Sequence, residues 1–234
     1  MKLKNKTALD EKIHGRWYQD ACGAAFAMEL IGERWSLPVV RELMLGGRRF
    51  SDIRASLPGI SAKVLTERLD RMEKLGIVTR KAIENPVPAK LYDLTAWGLA
   101  LEPVMQELGR WSTQSSGHDP MLPLTPVSLM LSMRTMLKRE PARELTCRVL
   151  FEVGADVFLG EMAHGELRIV RCGREAKDWD IRFSAPHANA YLASFYGKQP
   201  IGSPGNLLEA EGSHDLIERF IACFALPKKR VAVP

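Results

Sequence analysis

The sequence is poor in cysteine. It has four in 234 residues, at positions 22, 147, 172 and 223. They are too few and too scattered for a disulfide framework, and the absence of any CxxC pair excludes a zinc ribbon. So sparse a set of thiols fits a reducing cytosol. Long apolar runs are also lacking: no stretch approaches the roughly 18–20 consecutive apolar residues a membrane helix needs, and no membrane partner is expected. Residues 1–12 are basic, but no apolar run or small-residue cleavage site follows promptly, so they read as a frayed cytosolic start. Catalytic signatures are missing as well. The five histidines, His14, His118, His164, His187 and His214, show no HxxxH or HExxH spacing. No Walker loop, GxGxxG or GxSxG occurs. The expectation is a cytoplasmic protein that is not an enzyme, with no metal and no cofactor.

What is present is enough apolar residue, 46%, to bury a core, and a length that allows one large domain or two small ones. The net charge is +5, and it is local. Residues 48–90 carry ten Lys and Arg against five Asp and Glu, which is the whole excess of the chain. A basic excess confined to one small module suggests a surface that faces a polyanion. Charge alone fits a solvated mixed-charge face better.

The order of elements decides between them. Residues 22–32 and 35–45 read as helices, and Gly46-Gly47 stops the second. Ser51 is a candidate N-cap for a short helix. Pro58-Gly59-Ile60 makes a turn, and Ser61 can cap a further helix with Leu65, Leu69, Met72 and Leu75 along one side. Helix, three-residue turn and helix over 51–75 is a helix-turn-helix pattern. Short strands at 77–83 and 90–95, joined by a loop tip at 85–88, make a wing. A long helix over 95–111 follows. Opposite the Leu65 stripe, Ser61, Lys63, Thr66 and Glu67 can reach base edges in a major groove. Arg48, Arg49, Arg68 and Arg71 suit phosphates, and Arg80, Lys81 and Lys90 place charge along the wing.

These residues resemble the HxlR-type winged-helix regulators, a branch near the MarR regulators. The similar runs are Leu30-Ile31-Gly32-Glu33-Arg34-Trp35, Arg48-Arg49-Phe50-Ser51-Asp52-Ile53, Leu57-Pro58-Gly59-Ile60-Ser61, Val64-Leu65-Thr66-Glu67-Arg68-Leu69 and Tyr92-Asp93-Leu94-Thr95. The resemblance implies a homodimer on double-stranded operator DNA, joined through the first helix and the 95–111 helix. The usual Cys-Pro dipeptide is here Cys22-Gly23. Some such regulators sense oxidants through that cysteine, which makes Cys22 a redox candidate; a packing cysteine is the plain alternative.

After a Ser, Gly and Pro-rich stretch, read as a linker at 115–125, the rhythm changes. A helix over 126–139 precedes period-two strands at 147–153, 156–163, 166–171 and 178–184, then a helix at 187–196, a strand at 207–210 and a last helix capped by Ser213. The domain is α+β. It resembles the sterol-carrier-protein-like domain, which implies a five-stranded sheet and an apolar tunnel. Phe151, Phe158, Trp179, Ile181, Phe183, Tyr191, Phe195 and Phe220 are candidates to line such a tunnel, with Trp179 or Tyr191 orienting the ligand by its polar tip. The bland alternative is an ordinary core.

The expected fold is therefore a mostly α winged helix-turn-helix domain at 13–114, followed by an α+β sterol-carrier-like domain at 126–228. The expected function is dimeric repression of transcription under control of a hydrophobic small molecule. Two alternatives stand beside it: redox control through Cys22 with a purely structural second domain, and a lipid carrier whose winged helix binds no DNA.

Overall fold

The structure is a computed structural model that describes residues 16–83 and 89–230. The basic start at 1–12, His14, Glu84 and the loop tip at 85–88 lie outside the described residues. The chain divides into two compact units, Met1–Ala100 and Leu101–Pro234.

The first unit opens with α1 (Gly23–Ile31), with Cys22 at its N-cap. In α2 (Ser36–Leu43), Pro38 sits in the first turn, where a missing N–H costs little. A two-residue strand, β1 (Arg48–Arg49), leads into α3 (Phe50–Ser56). Arg49, not Ser51, occupies the N-cap of α3; Ser51 Oγ donates to Asp52 instead, at 3.1 Å. The expected Ser61 cap is present on α4 (Ala62–Lys74): its Oγ accepts from Val64 N–H at 3.2 Å. Leu65, Leu69 and Met72 of α4 are buried. The helix stops at Gly76, whose φ of +73° suits glycine. Ile77 N–H then donates to Met72 O at 2.9 Å and Gly76 N–H to Glu73 O at 3.0 Å, which satisfies two orphan carbonyls.

The wing strands β2 (Val78–Ile83) and β3 (Ala89–Leu94) pair antiparallel, with Arg80 opposite Tyr92. β1 adds a third strand on the far side of β3, with Arg48 opposite Tyr92 and Arg49 opposite Leu91. The long helix expected over 95–111 is broken into α5 (Ala96–Leu99) and α6 (Glu102–Ser112). Pro103 is the reason. Its ring would clash with the Leu99 carbonyl inside a continuous helix, whereas the first turn of a new one tolerates it.

α6 belongs to the second unit, where Arg134 Nη1 pairs with Glu102 at 2.9 Å and Arg110 Nε donates to Thr135 O at 3.0 Å. The segment read as a linker is tied to the same unit. Lys229 Nζ donates to Ser115 O at 2.8 Å, and Leu124 N–H donates to Asn189 Oδ1 at 3.0 Å. The helix read over 126–139 ends earlier, as α7 (Pro126–Thr135), before a single turn, α8 (Arg139–Ala142); Pro141 again forbids continuity.

The sheet of the second unit has five strands in the order β6-β5-β4-β7-β8: β4 (Cys147–Val153), β5 (Asp156–Ala163), β6 (Glu166–Cys172), β7 (Ile181–Ala185) and β8 (Glu209–Gly212). β4 and β7 run parallel at its centre and the other pairs are antiparallel. β7 starts at Ile181, later than the expected 178; Asp178 has φ +62° and lies outside the strand. β8 likewise begins at Glu209, later than 207. α9 (Asn189–Phe195) and α10 (His214–Ala222) complete the unit. Among the described residues no helix is long and apolar enough to cross a membrane.

Candidate nucleic-acid interface

α4 presents two faces. Leu65 and Leu69 anchor it in the core of the first unit, while Lys63, Thr66 and Glu67 are exposed near its N-terminal end, beside Ser61. Thr66 Oγ1 donates to Ala62 O at 3.0 Å, which leaves its oxygen free to accept. The four side chains offer an ammonium donor, a carboxylate acceptor and two hydroxyls on one side of one helix end. That mixture suits the donor and acceptor pattern of base edges in a major groove.

The ten basic residues of 48–90 separate into two groups. Arg49, Arg54, Lys63, Lys74 and Lys90 are exposed, and no ion pair engages them among the described residues. The other five are held by carboxylates. Arg48 Nη1 pairs with Glu42 at 2.7 Å and donates to Ser56 Oγ at 2.9 Å. Arg68 pairs with Glu33, and Arg71 lies 3.6 Å from the same carboxylate while donating to Glu29 O at 2.8 Å. Arg80 bridges Asp70 and Glu73 of α4, the latter at 3.0 Å, and stacks over Tyr92. Lys81 pairs with Asp93 at 2.5 Å. Arg48, Arg68 and Arg71, expected to meet phosphates, are thus engaged by carboxylates of the first unit, and Arg80 ties the wing to α4.

Cys22 is exposed at the start of α1. Its sulfur makes no cap hydrogen bond of normal geometry. Even so, the first-turn N–H groups of Ala25 and then Ala24 favour the thiolate and lower its pKa. The other three thiols are pushed the opposite way, each mainly by burial, with Cys147 raised to about 11.

Comparison with known proteins places these features. Residues 30–119 match the HxlR-like helix-turn-helix family. Over 89 residues the chain is 42% identical to the uncharacterized HTH-type transcriptional regulator YvaP of Bacillus subtilis (strain 168), covering 38% of this chain and 82% of that protein. It is also 42% identical over 89 residues to the HTH-type transcriptional regulator YodB of the same organism, covering 38% and 79%. The chain belongs to the HxlR-like helix-turn-helix family. Among solved structures, the reduced form of YodB from B. subtilis is 36% identical, covers 41% of this chain and 94% of that one, and has a TM-score of 0.38.

The HxlR-like unit also contains acidic residues that sequence reasoning passed over. Glu29 is fully buried, and its carboxylate accepts from the N–H groups of Arg16, Trp17 and Tyr18 at 3.0–3.2 Å. Glu33 gathers Arg68 and Arg71, with Arg16 at 3.7 Å. Glu42 is buried between Arg41 and Arg48. A signal for Glu29 was there to read: it is the single charged residue of α1, GAAFAMELI.

Beyond the HxlR-like match, the aromatic candidates of the second unit are packed. Phe151, Phe158, Ile181, Phe183, Tyr191, Phe195 and Phe220 are fully buried. Phe183 sits edge-on to Phe195 with centroids 5.2 Å apart, and Phe220 lies 5.1 Å from Phe224. The Tyr191 hydroxyl shares its proton between Glu152 O at 2.8 Å and Phe183 O at 3.0 Å. Trp179 is half-buried and lies outside β7. None of the eight lines the cleft of about 530 Å³ formed by α9, α10, β8 and the loop after α9. A smaller cavity of about 260 Å³ lies between Glu152, Ser184, Pro186 and Leu207.

Proposed function

We propose that the protein is a dimeric transcriptional repressor that binds operator DNA through α4, with its second unit as an effector domain. The observation that carries the DNA role is the exposed end of α4. Ser61, Lys63, Thr66 and Glu67 stand free of the core, while paired arginines fix the helix from behind. Arg49 and Lys90 are the phosphate contacts best placed by exposure, with Arg54 and Lys74 as further free cations. The dimer forms through α1 and α6: Val104, Leu108 and Trp111 make an exposed apolar stripe along α6, at the i, i+4, i+7 spacing of one helix face.

The second unit has the expected α+β character, and we keep the sterol-carrier-like comparison as a proposal on its five-stranded sheet. The aromatic candidates are fully buried and pack on one another, so we place a hydrophobic effector at the open cleft beside α10 instead. Cys22 supports a second mode of control, by oxidation or alkylation, because it alone among the four thiols is both exposed and lowered in pKa.

Selection of bound fragments from random duplex DNA tests the proposal. The expected product is a near-palindrome whose half-sites lie about one or two helical turns apart. Affinity for it is expected to fall with salt by a log–log slope of about −0.9 per phosphate contacted. No enriched sequence, or binding indifferent to salt, would leave the lipid-carrier alternative in its place.

A further inference from the structure

The basic segment 48–90 leaves out one cation that the fold brings to α4. Arg34 lies in the turn between α1 and α2, is exposed, and has no carboxylate partner among the described residues. Its neighbour Glu33 serves Arg16, Arg68 and Arg71 instead. What holds Arg34 is an aromatic ring. Its guanidinium carbon sits over the face of Trp35, 5.1 Å from the ring centroid. Such stacking orients the guanidinium and leaves the N–H donors at its rim for an anion. Trp35 has φ +77°, a left-handed conformation rare for a bulky residue. That conformation costs energy and persists only where the surroundings require it. Here the edge of the ring turns to Gly59, where an added Cβ would stand 3.9 Å from Cζ2 and Cη2. Gly59 lies in the turn between α3 and α4, two residues before the Ser61 cap. Trp35 thus spans from one turn to the other and carries Arg34 with it. Two residues of chain reach at most about 7 Å, and a major groove is about 12 Å wide. A cation beside the N-terminal end of a helix seated in that groove faces the groove wall, which is phosphate. The N-terminus of α2, which Trp35 leaves without a side-chain cap, adds partial positive charge at the same place.

We propose that Arg34 binds a DNA backbone phosphate beside the bases read by α4, with Trp35 as the residue that positions it. The proposal rests on the DNA role given to α4 and extends the interface to a residue outside the basic segment.

The test uses the full chain and two duplexes of equal length, the selected operator and the same bases in shuffled order, over about 50–200 mM salt. Arg34→Ala should lower the log–log salt slope by about 0.9. It should weaken binding about eightfold at about 0.1 M salt, the factor that such a slope gives between about 0.1 M and 1 M. The loss should be equal on both duplexes, because a phosphate carries no sequence information. The melting temperature should stay within about 4 °C of the wild type. Arg34→Lys, which keeps a point charge for a phosphate, should restore the slope. Replacing operator phosphates one at a time by uncharged methylphosphonate should find a position that weakens the wild type and leaves Arg34→Ala unaffected. An unchanged slope in Arg34→Ala, a loss confined to the operator, a lysine variant no better than the alanine one, or phosphate losses that add to the alanine loss at every position would each overturn the proposal. Lys63→Ala is the control for the reading beneath it. If Lys63→Ala weakens operator binding and Arg34→Ala does not, α4 stands as the DNA-reading helix and Arg34 falls. If the wild-type chain binds neither duplex, both fall.

Discussion

Arg48 and Arg49 form a two-residue strand, and successive side chains of a strand point to opposite faces. Arg48 turns inward to Glu42, whose side chain is 0% exposed, and Arg49 turns out to solvent. Their substitution should therefore separate stability from DNA binding. Arg48→Ala strips one partner from a buried carboxylate and is expected to cost about 3 kcal/mol of stability in urea unfolding, the low end for a broken buried pair because Arg41 remains. Arg49→Ala should stay within about 0.5 kcal/mol of the wild type while reducing the salt slope of DNA binding by about 0.9. The reverse pattern would assign the phosphate contact to the wrong arginine. Cys22 carries a second residue-scale prediction. The thiolate is the reactive form, so a lowered pKa moves the rise of alkylation rate to lower pH. Iodoacetamide should label Cys22 first at neutral pH, with its rate inflecting below the ordinary thiol value of about 8.5, and Cys22→Ser should remove the fast phase. A fast phase that survives this change would place the reactive thiol elsewhere, despite the burial that raises Cys147, Cys172 and Cys223.

At the scale of elements, α4 was legible because its cues agree: a serine at the cap, apolar residues three or four apart at Leu65, Leu69, Met72 and Leu75, and a glycine at the stop all describe the same helix. β1 was not legible, since two residues have no periodicity and only their partner β3 makes them a strand. The broken helix at Pro103 was written in the sequence, but the apolar spacing of Leu101, Val104 and Leu108 suggested continuity across it. The basic excess of 48–90 was visible as a sum. Its division into paired and free cations was not, because Glu33 and Glu42 lie outside that segment and reach it only in the fold. α6 itself has no buried residue, and a helix with an exposed stripe of Val104, Leu108 and Trp111 needs a partner to cover it. Leu108→Glu places a charge in that stripe. Sedimentation should report a dimer for the wild type and a monomer for this variant, and affinity for a two-half-site operator should drop at least tenfold, because linked half-site binding is lost. An unchanged dimer would move the interface away from α6.

At the scale of the whole chain, composition and contacts divide the molecule differently. The Ser, Gly and Pro-rich residues 115–125 mark irregular backbone, which composition does report. Composition does not report which unit that backbone is bound to, and the compact units meet at Ala100 and Leu101. The second unit holds α6 through the Arg134–Glu102 ion pair and the Arg110 donation to Thr135 O, and holds the chain just after it through the Lys229 ammonium shared by Thr113 O and Ser115 O. Arg230 N–H adds a bond to Gln114 O at 2.9 Å. A fragment starting at residue 115 forfeits most of these and leaves the Thr135 carbonyl without its side-chain donor. At about 1 kcal/mol for each half-exposed pair or hydrogen bond, the loss is on the order of 3 kcal/mol, or roughly 10 °C in melting temperature for a unit of this size. A fragment starting at residue 101 should keep them all. We therefore expect residues 101–234 to unfold in one sharp transition and residues 115–234 to melt about 10 °C lower. Equal melting of the two fragments would show that α6 contributes nothing to the second unit and would return the boundary to the composition break.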